Sequence, residues 1–307
     1  MISVITSDRF LDHDTGYGHP ERPERLTACL NALKKSDLHP NLNWLDPRFA
    51  TEEELLWIHS AEHIANVRQM AESGGGFLDP DTPVCADSYE IALLSAGAWL
   101  AAVDEVLGDK RSAWVLSRPP GHHCERDYAM GFCLFSNCAL AAHYAVRQYG
   151  IQRVAVFDWD VHHGNGSQHI LEKDPQMAYV STHQYPFYPG TGNSLERGDH
   201  DNVLNIPLPA GSGREEYINS FNNAIKPFLT KWNPDLLIIS AGFDAARQDP
   251  LANMNLDAED FAELTRGCLQ IAPQLLLGLE GGYSLQALGE SVVAVTRELV
   301  NCESTER

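Results

Sequence analysis

Basic residues are scarce in this chain. Its 307 residues hold 22 Lys and Arg against 42 Asp and Glu, a formal net charge of −20. Phosphate binding is driven by Lys and Arg, so this balance argues against a nucleic-acid partner. It suits solubility and is compatible with a cationic substrate or a basic peptide. Long apolar runs are missing as well. None approaches the roughly 18 uninterrupted apolar residues of a membrane span. The first six residues, Met1 to Thr6, read as a strand and lack the basic start and apolar core of a signal peptide. The expectation is a cytoplasmic chain with no membrane partner. Seven cysteines are scattered without a Cys-x-x-Cys pair, which points to reduced thiols that mostly pack as small core residues. No linker, charge block, repeat or low-complexity tract divides the sequence. With 44% hydrophobic residues, it reads as a single domain over residues 1–307.

What is present is an alternation of short apolar runs and longer helical patterns. Strands are expected over 112–116, 154–157, 177–182, 236–240 and 275–279. Their nearly continuous apolar character is that of strands buried on both faces of a parallel sheet. Helices are expected over 88–107 after Asp87, over 136–149, over 214–232 with Ser212 and Glu215 as a capping pair, and over 257–270 with Asp257 and Asp260 in that role. This order implies an α/β fold with a central, mostly parallel sheet flanked by helices on both faces. The stretch 184–209, rich in Gly, Pro and Tyr, is expected as a long loop forming a wall or a lid of a site, or else a plain surface excursion.

Polar motifs follow each of the five strands, and ligands of open parallel sheets bind beyond the carboxyl ends of the strands. Two carry paired histidines: Arg118-Pro119-Pro120-Gly121-His122-His123 and Asp158-Trp159-Asp160-Val161-His162-His163-Gly164-Asn165-Gly166. Asp160 and His162 are two apart, so an extended backbone projects both to one side. Asp244, in Gly242-Phe243-Asp244 after another strand, can add a third ligand. Three protein ligands and an open position mark a catalytic metal site, whose water becomes a nucleophile near neutral pH. His122 and His123 are then free to move protons, with Asp158 and Asn165 as nearby orienting partners. Tyr283, after two glycines, is placed to hydrogen-bond an oxyanion, although most such tyrosines only pack. Cys124, beside the histidines, is a candidate oxidation-sensitive thiol.

Taken together, Arg118–His123, Gly131-Phe132-Cys133, Asp158–Gly166, Ser181-Thr182-His183, Ala241–Asp244 with Asp249-Pro250, Leu279–Tyr283 and the early His19-Pro20-Glu21-Arg22-Pro23-Glu24-Arg25-Leu26 resemble the histone deacetylase superfamily. That group includes class II enzymes, bacterial deacetylase-like amidohydrolases and acetylpolyamine amidohydrolases. The resemblance covers about residues 10–290. It implies an arginase–deacetylase fold and one zinc ion on Asp160, His162 and Asp244. It makes His122 and His123 the tandem histidines, with His123 the acid and base, Asp158 orienting His122, and Tyr283 stabilising the oxyanion. It implies that Gly131, Phe132 and an aromatic of the loop from Tyr185 to Tyr188, Tyr188 first among them, wall an acyl-lysine channel. It also implies a structural potassium site on Asp158, Asp160 and Ser181, with the backbone of His162 and Thr182. Asn165 stands where class I enzymes carry Asp, a class II-like pattern. Leu251 stands where polyamine-specific eukaryotic relatives carry Glu.

The reading that follows is a zinc-dependent deacylase acting on acyl-lysine in proteins or peptides. The alternative is the same chemistry on acetylpolyamines or other small acylated amines. A non-catalytic acyl-lysine reader fits poorly, because every presumed catalytic residue is present. An arginase-like two-manganese enzyme needs Asp ligands where this chain has His163 and Gly164. Monomer and homo-oligomer are both left open.

Overall fold

In the computed structural model, residues 1–305 are described. Ten strands are formed: β1 (Ile2–Ile5), β2 (Leu42–Leu45), β3 (Gly75–Asp79), β4 (Thr82–Cys85), β5 (Ala113–Val115), β6 (Val154–Asp158), β7 (Met177–Gln184), β8 (Val203–Leu208), β9 (Leu236–Ala241) and β10 (Leu275–Leu279). Eight of them make one parallel sheet in the order β2-β1-β5-β10-β9-β6-β7-β8, and β3 and β4 pair as a separate antiparallel hairpin. This is the arginase–deacetylase arrangement. The expected interior strands are all present.

Helices cover both faces. Gly278 of β10 is in register with Val115 of β5, and a Cβ at Gly278 would overlap the Trp99 ring of helix Ser88–Leu107. The adjacent Trp114 points the other way, where its indole N–H donates to Thr296 of helix Leu285–Thr305. One sheet face is thus sealed by the helix carrying Trp99 and its neighbour Asn137–Tyr149. The opposite face is sealed by Leu285–Thr305 with Pro23–Lys35 and Ala258–Leu269. All three indoles of Trp99, Trp114 and Trp159 are fully buried.

Several local expectations are corrected. Residues 214–232 are not one regular helix: Arg214–Ser220 and Lys226–Trp232 flank a π segment, Phe221–Ile225. The cap is Gly213, whose N–H donates to Glu216, rather than Ser212 with Glu215. Asp257 and Asp260 do pair as expected. Asp87 makes no side-chain cap. The stretch 184–209 contains an edge strand, β8, so the irregular excursion is shorter.

The register brings the chemistry to one edge. Asp158, at the end of β6, lies level with Ser181 of β7 and Ser240 of β9. No helix among the described residues is long and apolar enough to cross a membrane.

Candidate active site

Beyond β6 the backbone turns so that successive side chains clamp its own amides. Asp158 accepts from the N–H of Asp160 at 3.1 Å, and Asp160 accepts from the N–H of His162 at 2.9 Å. Asp244, after β9, reaches across to accept from the N–H of Val161 at 2.9 Å. Asp160 also accepts from the N–H of Gly281, after β10, at 2.8 Å. Three strand ends are thereby tied into one knot, with each carboxylate held in place by a backbone donor.

At the centre, His162 Nδ1 lies 3.1 Å from Asp160 Oδ1 and 3.1 Å from Asp244 Oδ2. One ring nitrogen faces two carboxylates, and all three side chains are buried. Burial pushes the Asp244 carboxyl up to about 7, with the Asp160 charge adding to the effect. Burial also works against a charged His162, yet the hydrogen bonds to Asp160 and Asp244 outweigh it and raise the ring to about 10. Without an ion, only protonated imidazoles balance these acids, and two carboxylate oxygens and an imidazole nitrogen are the donor set of a divalent transition metal. The residues fit zinc.

Two further groupings of potential ligands carry no such demand. His59, His63 and Cys124 lie together, but the ring nitrogens of His59 are used by the carbonyl of Glu125 and the N–H of Ser136, and His63 Nε2 is on the carbonyl of Leu134. In the second, His122, Cys133 and Glu280, Glu280 accepts from Gly121, His122 and Ser240. Cys124 is fully buried and burial raises its thiol well above the ordinary range. The expectation of an oxidation-sensitive Cys124 is therefore corrected, because neither thiolate nor access is available.

The tandem histidines differ in their partners. His122 Nδ1 donates to Asp158 Oδ2 at 3.1 Å, a carboxylate that also receives the Tyr179 hydroxyl at 3.0 Å. Burial opposes a proton on His122, but the charges of Asp160 and Asp158 overcome it and lift the ring to about 10. His123 Nδ1 donates to the carbonyl oxygen of Asn165 at 2.9 Å. With only an amide as partner, burial and then the charges of His122 and His162 press His123 well below its usual value. His163 is taken up by Thr191 and Gln168 and serves the loop, not the site.

Above these groups lies a cavity of about 180 Å³ lined by Asp81, His123, Gly131, Phe132, His162, Phe187, Tyr188, Leu251 and Tyr283. Phe132 has φ +69, an uncommon conformation for a bulky residue, which places its ring edge-on to Tyr283 at 6.0 Å. Gly131 precedes it with φ +56, and a Cβ there would overlap the His123 ring. Tyr188 stands edge-on to His123 at 5.1 Å. Tyr283 is anchored through its N–H on Asp249 at 2.6 Å, with the Arg25 guanidinium 4.9 Å from its ring centre.

Every expected residue around the acids and the cavity is thus brought together. Ser181 pairs with His183 at 2.9 Å, and the Thr182 hydroxyl is buried without a partner. Phe187 stacks on His162 at 5.4 Å. It belongs to the loop from Tyr185 to Tyr188, from which an aromatic wall is expected with Tyr188 first, and both rings line the cavity. Asp81 had no signal; only the hairpin turn between β3 and β4 brings it to the cavity.

Comparison with known proteins follows the same lines. The histone deacetylase domain matches residues 19–299. The chain is 39% identical over 300 residues to the histone deacetylase-like amidohydrolase of Pseudomonas aeruginosa, covering 94% of this chain and 79% of that one. It is 38% identical over 304 residues to the polyamine deacetylase HDAC10 of Mus musculus, covering 91% of this chain and 45% of that one. The crystal structure of the HDA15 HD domain superposes with a TM-score of 0.93 at 34% identity, covering 98% of this chain and 89% of the other.

Proposed function

Because the chain belongs to the histone deacetylase family, whose members are deacetylases and amidohydrolases, we propose that it is a zinc-dependent deacylase of N-acetyl, or related acyl, lysine side chains. The observation that carries this is a cavity lined by His123, the Tyr283 phenol and the aromatic rings of Phe132, Phe187 and Tyr188, on whose wall His162 joins the buried Asp160–His162–Asp244 donor set.

Zinc held by Asp160, His162 and Asp244 supplies Lewis acidity toward the acyl oxygen and toward water. The chain's own groups do the rest. Asn165 accepts the Nδ1 proton of His123, which leaves the His123 Nε2 lone pair to take a proton from water and later return it to the leaving amine. His122, whose Nδ1 is held by Asp158, stands with its ring 4.0 Å from that of His123 and would supply positive charge behind the reacting groups when protonated. The Tyr283 hydroxyl donates to the acyl oxygen as it becomes anionic. Phe132 and Tyr188 flank the methylene chain of the substrate and exclude water, and Gly131 leaves room for the His123 ring. Asp158, Asp160 and Ser181, with the backbone of His162 and Thr182, are assigned a structural potassium ion that offsets the charge behind the zinc carboxylates. The level placement of Asp158 with Ser181 supports this assignment.

Acetylpolyamines are the second reading. The likeness to a protein named polyamine deacetylase and the Asp81 carboxylate on the cavity wall favour it; apolar Leu251 on the same wall favours acyl-lysine. Turnover of an acetyl-lysine peptide, acetylputrescine and acetylspermidine at matched concentrations decides between them. A preference of tenfold or more for the peptide upholds the first reading, and the reverse preference replaces it.

A further inference from the structure

His123 depends on Asn165, and an amide is a weaker guide than a carboxylate. Its two ends differ by a single atom type, and only one of them can accept the His123 Nδ1 proton. If Asn165 turned over, its NH₂ would face the ring and force the proton to Nε2, where the lone pair is needed. Some group must decide which way the amide points.

We propose that Glu125 is that group, a positioning residue that sets the tautomer of His123 through Asn165. The Asn165 NH₂ donates to Glu125 Oε1 at 2.6 Å and to the backbone carbonyl of His123 at 3.3 Å, and it touches Met130 Sδ at 3.4 Å. A carboxylate has no proton to offer, so the reversed amide would set oxygen against oxygen at the closest of these contacts. The carbonyl end of Asn165 is thereby turned to His123 Nδ1. Glu125 is held in turn by His169, whose Nδ1 donates to the same Oε1 at 2.8 Å. The chain His169–Glu125–Asn165–His123 runs from solvent to the catalytic ring. Asn165 and Glu125 are buried along it, and only His169 is exposed.

Glu125 is absent from the walls of the substrate cavity and lines a separate one of about 520 Å³, together with His169. It touches neither the substrate channel nor the three metal ligands. Losing it should therefore cost turnover and spare both substrate affinity and metal. Orienting partners of this kind are typically worth about 10–100-fold.

The assignment rests on the hydrolytic role proposed for His123, and the test separates the two. The variants are Glu125→Ala, Glu125→Gln, Asn165→Asp and the double Glu125→Gln with Asn165→Asp, each assayed on an acetyl-lysine peptide with zinc content measured. Glu125→Ala is expected to lower kcat about 10–100-fold, with KM within about twofold and zinc unchanged. Glu125→Gln keeps an acceptor for the amide and should stay within about threefold. Asn165→Asp sets two carboxylates at contact distance and should fall at least as far as Glu125→Ala. Adding Glu125→Gln to it lets the new amide donate to the introduced carboxylate and should recover most of the loss. Nitrogen-15 spectra of the ring should show His123 protonated at Nδ1 in the unaltered protein and a mixture in Glu125→Ala. Unchanged kcat in Glu125→Ala, equal losses in Glu125→Ala and Glu125→Gln, or no recovery in the double variant overturns the proposal. If Glu125→Ala does not fold, the Asn165→Asp pair and the unaltered protein's spectrum decide. If the unaltered protein hydrolyses no acyl amide, the hydrolytic reading fails, and the tautomer measurement still tests Glu125.

Discussion

Two buried charge clusters lie near the carboxyl edge of the sheet, one around a single carboxylate and one around a pair, and they are balanced in different ways. In the first, Glu21 is fully buried between two guanidiniums: Arg118 binds it at 2.5 and 2.7 Å and Arg25 at 3.1 Å. Burial alone would raise this carboxyl, but the charge of Arg118 and then that of Arg25 bring it down to about 2. The arginines direct their remaining donors to the carbonyls of Phe10, Gly282 and Glu280. Nothing in this cluster asks for a ligand. In the second, Asp160 and Asp244 share one imidazole nitrogen: at Asp160 burial is outweighed by the charges of His122 and His162, which lower it, whereas burial and the Asp160 charge push the Asp244 carboxyl up to about 7. Permanent cations close a site and make it structural. Acids left short of positive charge keep a place for an ion that can come and go. The closed cluster also serves the open one, because Arg25 clamps the Gly282 turn that carries Tyr283.

The largest effect expected is on the open side. Asp244→Asn should abolish zinc retention and lower kcat/KM by about three orders of magnitude or more, several kcal/mol of transition-state stabilisation. The metal-free variant should unfold no more easily than metal-free parent, because a poorly compensated buried charge has been removed. Metal analysis and urea titration check both halves. A clear loss of stability in the apo variant would erase the contrast between the clusters.

Tyr283→Phe should lower kcat about 100- to 1000-fold, with zinc content and KM little changed. Loss of zinc in this variant would move Tyr283 from the chemistry to the scaffold. On the closed side, Glu21→Gln should cost about 3–5 kcal/mol of folding stability by stranding two buried guanidiniums, measured by urea unfolding, while zinc stoichiometry of the folded fraction stays the same.

The same cluster predicts a pH dependence. Glu21 has its folded value lowered from 4.5 to about 2, so the unfolded chain binds its proton first as pH falls. Its contribution is fully present above about 4.5 and disappears between there and about 2. The shift is worth about 3 kcal/mol. Urea midpoints across that window should fall more steeply in the parent than in Glu21→Gln, and parallel curves would contradict the pairing. The smallest effect is at the channel mouth. Leu251→Glu should shift preference toward acetylspermidine by about tenfold or less, about 1 kcal/mol, with peptide turnover and acetylspermidine turnover compared directly.

What the sequence makes legible follows from how local each signal is. The interior strands β1, β5, β6, β7, β9 and β10 are buried along their length and largely apolar up to their carboxyl ends, and they stand out. The edge strands β2 and β8 are only partly buried, and β8 carries Pro207, which an edge tolerates. They lack that signature and hide among loops. Asp158, Asp160 and His162 sit within five residues, and their spacing alone points to shared direction. Asn165 as partner of His123 is close to its motif. Glu125 is not legible: its value lies in a contact with a residue 40 positions away and in the orientation of an amide. Arg25 is the same case, 257 positions from the Gly282 carbonyl it holds. Ligands clustered in one strand–loop segment can be read in a sequence, although here Asp160 and His162 lie in a bend beyond β6 and not on extended backbone, whereas convergence of separate loops needs the fold.

The central claim is that the open cluster holds one zinc and that hydrolysis depends on it. Stripping the protein with chelator and titrating zinc back, with deacetylation and bound metal followed in the same samples, tests it most directly. Activity should rise linearly and stop at one zinc per chain, with no rise in Asp244→Asn. Full activity in the stripped protein, or a break point unrelated to bound zinc, would contradict it.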